Sequence, residues 1–134
     1  MQTIYTLYVN IFLIKITPGH FMNEHQTQVA VITWFRLQYP KLILFAIPNG
    51  GVRNIVTAVK LKSEGVLAGV ADLFLMQPNM NHHGLFIEMK AAKGKLSEQQ
   101  KYFLEQAKAK GYAACVCYSF EEAQAAITNY LHNV

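Results

Sequence analysis

The chain has 134 residues, 52% of them apolar and 15% charged, with twelve Lys and Arg against eight Asp and Glu for a formal net charge of +4. That length points to one domain with a single packed core, and that apolar fraction excludes intrinsic disorder. The modest basic excess fits a polyanionic partner without requiring one.

Residues 1–21 read as an apolar arm ahead of a domain spanning residues 22–134. The stretch "TIYTLYVNIFLIKI" carries no basic leader, contains Asn10 and Lys15, and is shorter than a membrane span, so no membrane association is expected. Its β-branched and aromatic content suits a strand or a docking arm. Met22 offers an alternative start, because "MNEHQTQVAVITWFR" reads as a clean helix opening.

Asn23 is placed to cap a helix that runs to about Tyr39, with Glu24 in its first turn. Helical spacing puts Glu24, Gln28, Val31 or Ile32, and Phe35 on one face, so two polar residues continue an apolar stripe. Pro40 ends the helix and "KLILFAI" follows as a buried strand. "PNGG" at 48–51 is a turn, and the helix after it stops at Gly65.

"VLAGVADLFLMQ" and "LFIEMK" read as two strands around the polar turn "PNMNHHG". Ser97 with Gln100, and Ser119 with Glu122, form capping-box patterns that open two more helices. Gly111 ends the first of these, "YAACVCY" is a buried strand, and the last helix reaches about His132. The order α, β, α, β, β, α, β, α specifies an α/β domain with a mixed central sheet. Cys115 and Cys117 are two apart, a spacing that would strain a disulfide, and two thiols are too few for structural zinc. They are expected as reduced core residues of a cytoplasmic protein.

Glu88 and Lys90 share one face of the "LFIEMK" strand, where ionised groups need partners or a cation. A hairpin centred near residue 80 would set Asp72 directly across from Glu88. Glu24 can reach the same place from the first helix. Carboxylates gathered at that spacing suit Mg²⁺ or Mn²⁺, with Lys90 free to stabilise charge on a phosphate or orient a water. A plain cross-strand ion pair on a solvated sheet face explains the same short pattern. Lys93, Lys95 and Lys101 flank the cluster as a phosphate-contacting rim. His82 and His83 read as turn residues, and Trp34 and the tyrosines as core and interface.

The joint pattern goes further than its parts. "NGG" with Arg53, "GVADLF", "IEMK" and "GKLSEQQ" follow one another in this order across residues 22–132, and together they resemble the VRR-NUC family of the PD-(D/E)xK nuclease superfamily. The resemblance implies a restriction-endonuclease-like fold, a mixed central sheet flanked by helices. It assigns catalysis to Asp72, Glu88, Lys90 and Gln100, metal binding to Glu24, Asp72 and Glu88, and DNA binding to Arg53. One departure is Ala71, where the family usually has proline before the aspartate.

The expected activity is that of a divalent-metal-dependent endonuclease acting on DNA, with a four-way junction favoured and a symmetric homodimer as the assembly that fits it. The alternatives are a flap or nicking nuclease, and a non-catalytic nucleic-acid binding module of the same fold.

Overall fold

A computed structural model describes residues 21–49 and 54–133. The N-terminal arm, the two glycines of the "PNGG" turn and Arg53 lie outside the described residues. The elements are α1 (Glu24–Gln38), β1 (Leu44–Ala46), α2 (Ile55–Ser63), β2 (Leu73–Leu75), β3 (Leu85–Met89), α3 (Glu98–Ala109), β4 (Ala113–Cys117) and α4 (Phe120–Leu131). They occur in the order expected from the sequence.

The four strands form one mixed sheet in the order β1-β2-β3-β4. β1 and β2 pair antiparallel, β2 and β3 pair antiparallel, and β3 and β4 run parallel. Parallel neighbours need a long crossover, and α3 supplies it. Period-two alternation then sorts β3 onto two faces. Leu85, Ile87 and Met89 enter the main core with Val31 and Phe35 of α1 and Ala123 and Ile127 of α4. Phe86 and Glu88 point the other way, and Phe86 meets Phe103 of α3 edge-on at 5.0 Å. The large core is therefore on the α1–α4 side, and Glu88 is on the α3 side.

The helix boundaries follow their capping chemistry. Asn23 accepts from the Gln26 amide while the Gln26 side chain accepts from the Asn23 amide, a reciprocal box. Gly65 and Gly111 take positive φ (101° and 87°) just beyond α2 and α3, a conformation glycine adopts without a Cβ clash. The second proposed box is only half made: Ser119 accepts from the Glu122 amide, but the Glu122 carboxylate accepts from Tyr118 N instead of Ser119 N.

Three strand readings need correction. β1 is a sheet edge with Leu44 buried and Ile43 and Phe45 exposed, because only one face of that strand meets α1. The stretch before β2 is not strand: Gly69 has φ 91° and lies against the backbone of Gln99, which bends the chain until Asp72. β4 is the other edge and is only partly buried until Cys117. The two thiols are unpaired, with Cys115 Sγ 3.8 Å from Cys117 Sγ. His82 and His83 are more engaged than simple turn residues, the first tilted against Tyr130 at 6.4 Å and the second edge-on to Tyr112 at 5.5 Å.

α2 stands apart from this core. It has no buried residue, and Ile55, Val56 and Val59 are 82%, 78% and 63% exposed. Among the described residues no helix is long and apolar enough to cross a membrane.

Candidate active site

The register of the β2–β3 hairpin sets the site. Leu73 pairs with Ile87 and Phe74 with Phe86, so the next step places Asp72 opposite Glu88, as the hairpin centred near residue 80 requires. Asp72 sits where β2 begins and Glu88 one residue before β3 ends, so both occupy the same end of the sheet. Asp72 Oδ2 accepts from the Met89 amide at 2.7 Å, which ties the carboxylate across the strand pair. Ile47 N–H donates to the Asp72 carbonyl at 2.8 Å and fastens the end of β1 beside it.

Glu88 is 2% exposed, and its Oε1 has two partners. Gln100 Nε2 donates to it at 2.7 Å, and Lys90 Nζ lies 3.4 Å away. Gln100 can reach because it is the N3 residue of α3, fixed there by the Ser97 capping box. Lys90 is partly buried, and its amide donates to the Cys117 carbonyl at 3.0 Å, so the chain runs on beside β4 past the last paired strand residue.

The electrostatics are those of crowded anions. Burial, then the Asp72 charge, push the Glu88 carboxyl up to about 7, against the opposing pull of Lys90. Asp72 is also raised, by burial first, with its Met89 hydrogen bond working the other way and the Glu24 charge adding to the rise. Two carboxylates that are both hard to ionise side by side are suited to sharing a cation.

A divalent ion fits part of the expected ligand set. The donors are oxygen only, as Mg²⁺ and Mn²⁺ require, and Asp72 Oδ1 and Glu88 Oε2 have no protein partner among the described residues. Among the described residues no three His, Cys, Asp or Glu side chains converge closely enough to hold an ion between them. Glu24 faces the pair from the exposed first turn of α1, near enough to raise both carboxyls but not gathered with them. Mg²⁺ keeps several waters and binds through one or two carboxylates, so the Asp72–Glu88 pair meets its minimum.

The remaining expected residues divide. Lys93 and Lys95 are exposed in the loop after β3 and make no ion pair among the described residues. Lys101 is exposed but held by Glu98 at 2.8 Å, which raises its ammonium pKa. Arg53 lies outside the described residues.

The structure adds a feature that the sequence reading missed. A cleft of about 810 Å³ opens at the same end of the sheet, with Asp72 and Met89 on its floor. α1 forms one wall through Glu24, Gln28, Ile32 and Arg36, and the segment from Ala46 to Asn49 forms the other. The spacing of four that links 24, 28, 32 and 36 was visible in the sequence, and following it one step beyond Ile32 reaches Arg36.

A mixed four-stranded sheet with an aspartate, an ExK strand and a glutamine helix converging at one end defines a PD-(D/E)xK-type nuclease domain. The VRR-NUC domain model matches residues 15–121, and the chain belongs to that family of nuclease domains. Its model begins six residues before the boundary drawn at 21, inside the N-terminal arm. The chain is similar to a solved structure described as a "VRR_NUC domain protein", with a TM-score of 0.71, 24% identity, and coverage of 84% of this chain and 91% of that one. At that identity the likeness concerns the fold. No curated protein matches the chain.

Proposed function

We propose that this protein is a divalent-metal-dependent endonuclease that hydrolyses DNA phosphodiester bonds at branched structures, four-way junctions foremost, and works as a homodimer. The observation that carries the reading is the buried Glu88 carboxylate, set across from Asp72 and flanked by both Lys90 and Gln100. A structural ion pair needs one acid and one base. It does not need a second acid opposite the first, which only raises the cost of ionising both.

Asp72 and Glu88 would hold Mg²⁺ or Mn²⁺, with Glu24 contributing from α1. When bound, the ion supplies positive charge against a phosphate and its leaving oxygen. The chain's own groups do the rest. Gln100 fixes the Glu88 carboxylate, and the Met89 amide fixes Asp72. Lys90, 3.4 Å from Glu88, would neutralise negative charge developing on the phosphate or orient the attacking water. Lys93 and Lys95, and Arg53 by family resemblance, would grip the backbone around the site.

Branch selectivity and dimerisation belong together. A four-way junction has two-fold symmetry, and paired cuts need two sites held by one symmetric assembly. The exposed apolar residues of α2 support a partner copy, since a nine-residue helix with no buried face is marginal alone. The apolar N-terminal arm, read from the sequence as a strand or a docking arm, lies outside the described residues. The unpaired thiols of Cys115 and Cys117 support a cytoplasmic setting. A flap or nicking nuclease with the same centre is the alternative within the class, and a non-catalytic DNA-binding module is disfavoured because the sequence carries Asp72, Glu88, Lys90 and Gln100 together.

The test is a cleavage panel of junction, flap, nicked and plain duplex DNA, with Mg²⁺, Mn²⁺ or EDTA. Metal-dependent cutting of the junction above the other substrates is expected. Equal cutting in EDTA would remove the metal reading, and preferential cutting of the flap would select the alternative.

A further inference from the structure

The cleft beside Asp72 has a chemistry that the catalytic centre does not explain. Much of its wall is aliphatic, with Val29 and Ile32 on α1 and Ile47 and Pro48 opposite, beside the polar Gln28 and Thr33. Its two ends differ in charge. Glu24 and Asp72 close one end, and Arg36 stands exposed at the other, with no ion-pair partner among the described residues. Arg36 lies twelve positions after Glu24 on α1, a rise of about 18 Å at ~1.5 Å per residue.

The opposite wall is held in place. Asn49 Nδ2 donates to the carbonyl of Leu67 and, at 3.5 Å, to that of Val70, while Ile47 N–H is bonded to the Asp72 carbonyl. The recess is therefore braced by backbone contacts on the side facing α1. It is also continuous with the catalytic end of the sheet.

We infer that this cleft is the channel for an unpaired DNA strand, running along α1 to the scissile phosphate, with Arg36 contacting a backbone phosphate several nucleotides away and His25, which also lines the cleft, a nearer one. This rests on the nuclease reading and narrows its substrate. A duplex presents phosphates outward and is gripped by polar, basic surface. Sugars and base faces become available to aliphatic walls only where a strand is unpaired, as in a flap or where the base pairs beside a branch point open. The aliphatic part of the lining implies sequence-tolerant contact with sugars and base faces.

The test uses binding in EDTA, where no turnover occurs, so that its outcome is independent of whether the protein cleaves. Fluorescence anisotropy with a short labelled oligothymidine and a hairpin duplex of equal charge would be measured against salt. Arg36→Ala should lower the slope of log affinity against log salt by about 0.7 for oligothymidine, the loss of one single-strand phosphate contact. Val29→Trp, at a half-exposed position that tolerates bulk, should weaken oligothymidine binding at least several-fold and leave duplex binding and the melting temperature unchanged. An unchanged salt slope in Arg36→Ala, or equal weakening of duplex and oligothymidine by Val29→Trp, would overturn the proposal. Metal-dependent cleavage by the wild-type protein decides the nuclease reading separately.

Discussion

Gln100 holds Glu88 by a 2.7 Å hydrogen bond from its Nε2, while its Oε1 accepts the Ser97 amide at 2.9 Å. One side chain thus caps α3 and aims a buried carboxylate, so the start of the helix and the end of β3 share a fixed geometry. The two tasks can be separated. Gln100→Ala should lower cleavage roughly 10- to 100-fold, the usual cost of losing a group that orients a ligand. Ser97→Ala removes only the cap and should cost about 1 kcal/mol of stability with the rate nearly unchanged below the melting temperature. Equal rate losses in both variants would assign Gln100 to the helix alone.

Asp72 also has two tasks, since its carboxylate serves the strand pair through Met89 N–H. Alanine would leave that amide unpaired, at a cost of about 1–3 kcal/mol. Asp72→Asn keeps an acceptor and removes the charge. It should abolish cleavage while retaining DNA binding and melting near the wild type. Cleavage at the wild-type rate by Asp72→Asn would sink the proposed metal site.

Lys90 distinguishes a catalytic centre from an ion pair. Its Nζ is 3.4 Å from Glu88, a distance that fits either role. Lys90→Ala should lower turnover by roughly 10²–10³, as expected for one transition-state charge stabiliser. Its fold should be kept at acid pH, where a protonated Glu88 needs no cation. If the rate survives and only the melting temperature drops, the ion-pair reading is the right one.

The raised Glu88 carboxyl makes the metal-free protein sensitive to pH in a stated direction. Its value rises from an ordinary 4.5 to about 7, chiefly through burial and then the Asp72 charge. The fold therefore favours the protonated form. The contribution is fully present below pH 4.5 and is lost as pH rises through about 7, a change on the order of 2–3 kcal/mol. The raised Asp72 carboxyl adds a change of the same sign. In EDTA the melting temperature should fall by several degrees between pH 5 and pH 8, and Glu88→Gln should flatten most of that fall. Mg²⁺ should restore stability at pH 8 and have little effect at pH 5. A pH-independent melting temperature would count against crowded carboxylates.

Local signals carried much of this fold. Asn23 and Ser97 announce helix starts by side-chain capping, Gly65 and Gly111 helix ends by positive φ, and all four stand where that chemistry puts them. The Asp72–Glu88 pairing was legible because the fifteen residues between them leave few registers that keep Leu73 and Ile87 inside. Burial of β1 and β4 was not legible, since whether an apolar strand is central or at an edge depends on pairing with distant segments. Nor was the Met89 amide on Asp72 or the cleft beside it, because both arise where β1, β2, β3 and α1 meet.

Assembly provides the last prediction, and it follows from α2. Ile55, Val56 and Val59 lie at i, i+1 and i+4 on one face, all largely exposed, while Lys60 and Glu64 pair at 4.0 Å along the helix. Water-exposed β-branched residues contribute little to a short helix, so a covering surface is what would make this one persist. If that surface is the same helix of a second copy, the contact is isologous, and both clefts are fixed relative to one another by a two-fold axis. A stable dimer should bury at least about 1,000 Å², more than α2 alone supplies, so neighbouring surface must take part. The double variant Val56→Glu with Val59→Glu places charges at that face without touching the core. Light scattering should report a dimer for the wild type and a monomer for the variant, with circular dichroism nearly unchanged. Junction cutting should then drop from paired to single incisions, while nicking of simple substrates continues. A wild-type protein that is monomeric both free and on DNA, cutting junction and linear duplex alike, would refute the junction-resolving dimer and leave the nuclease centre standing.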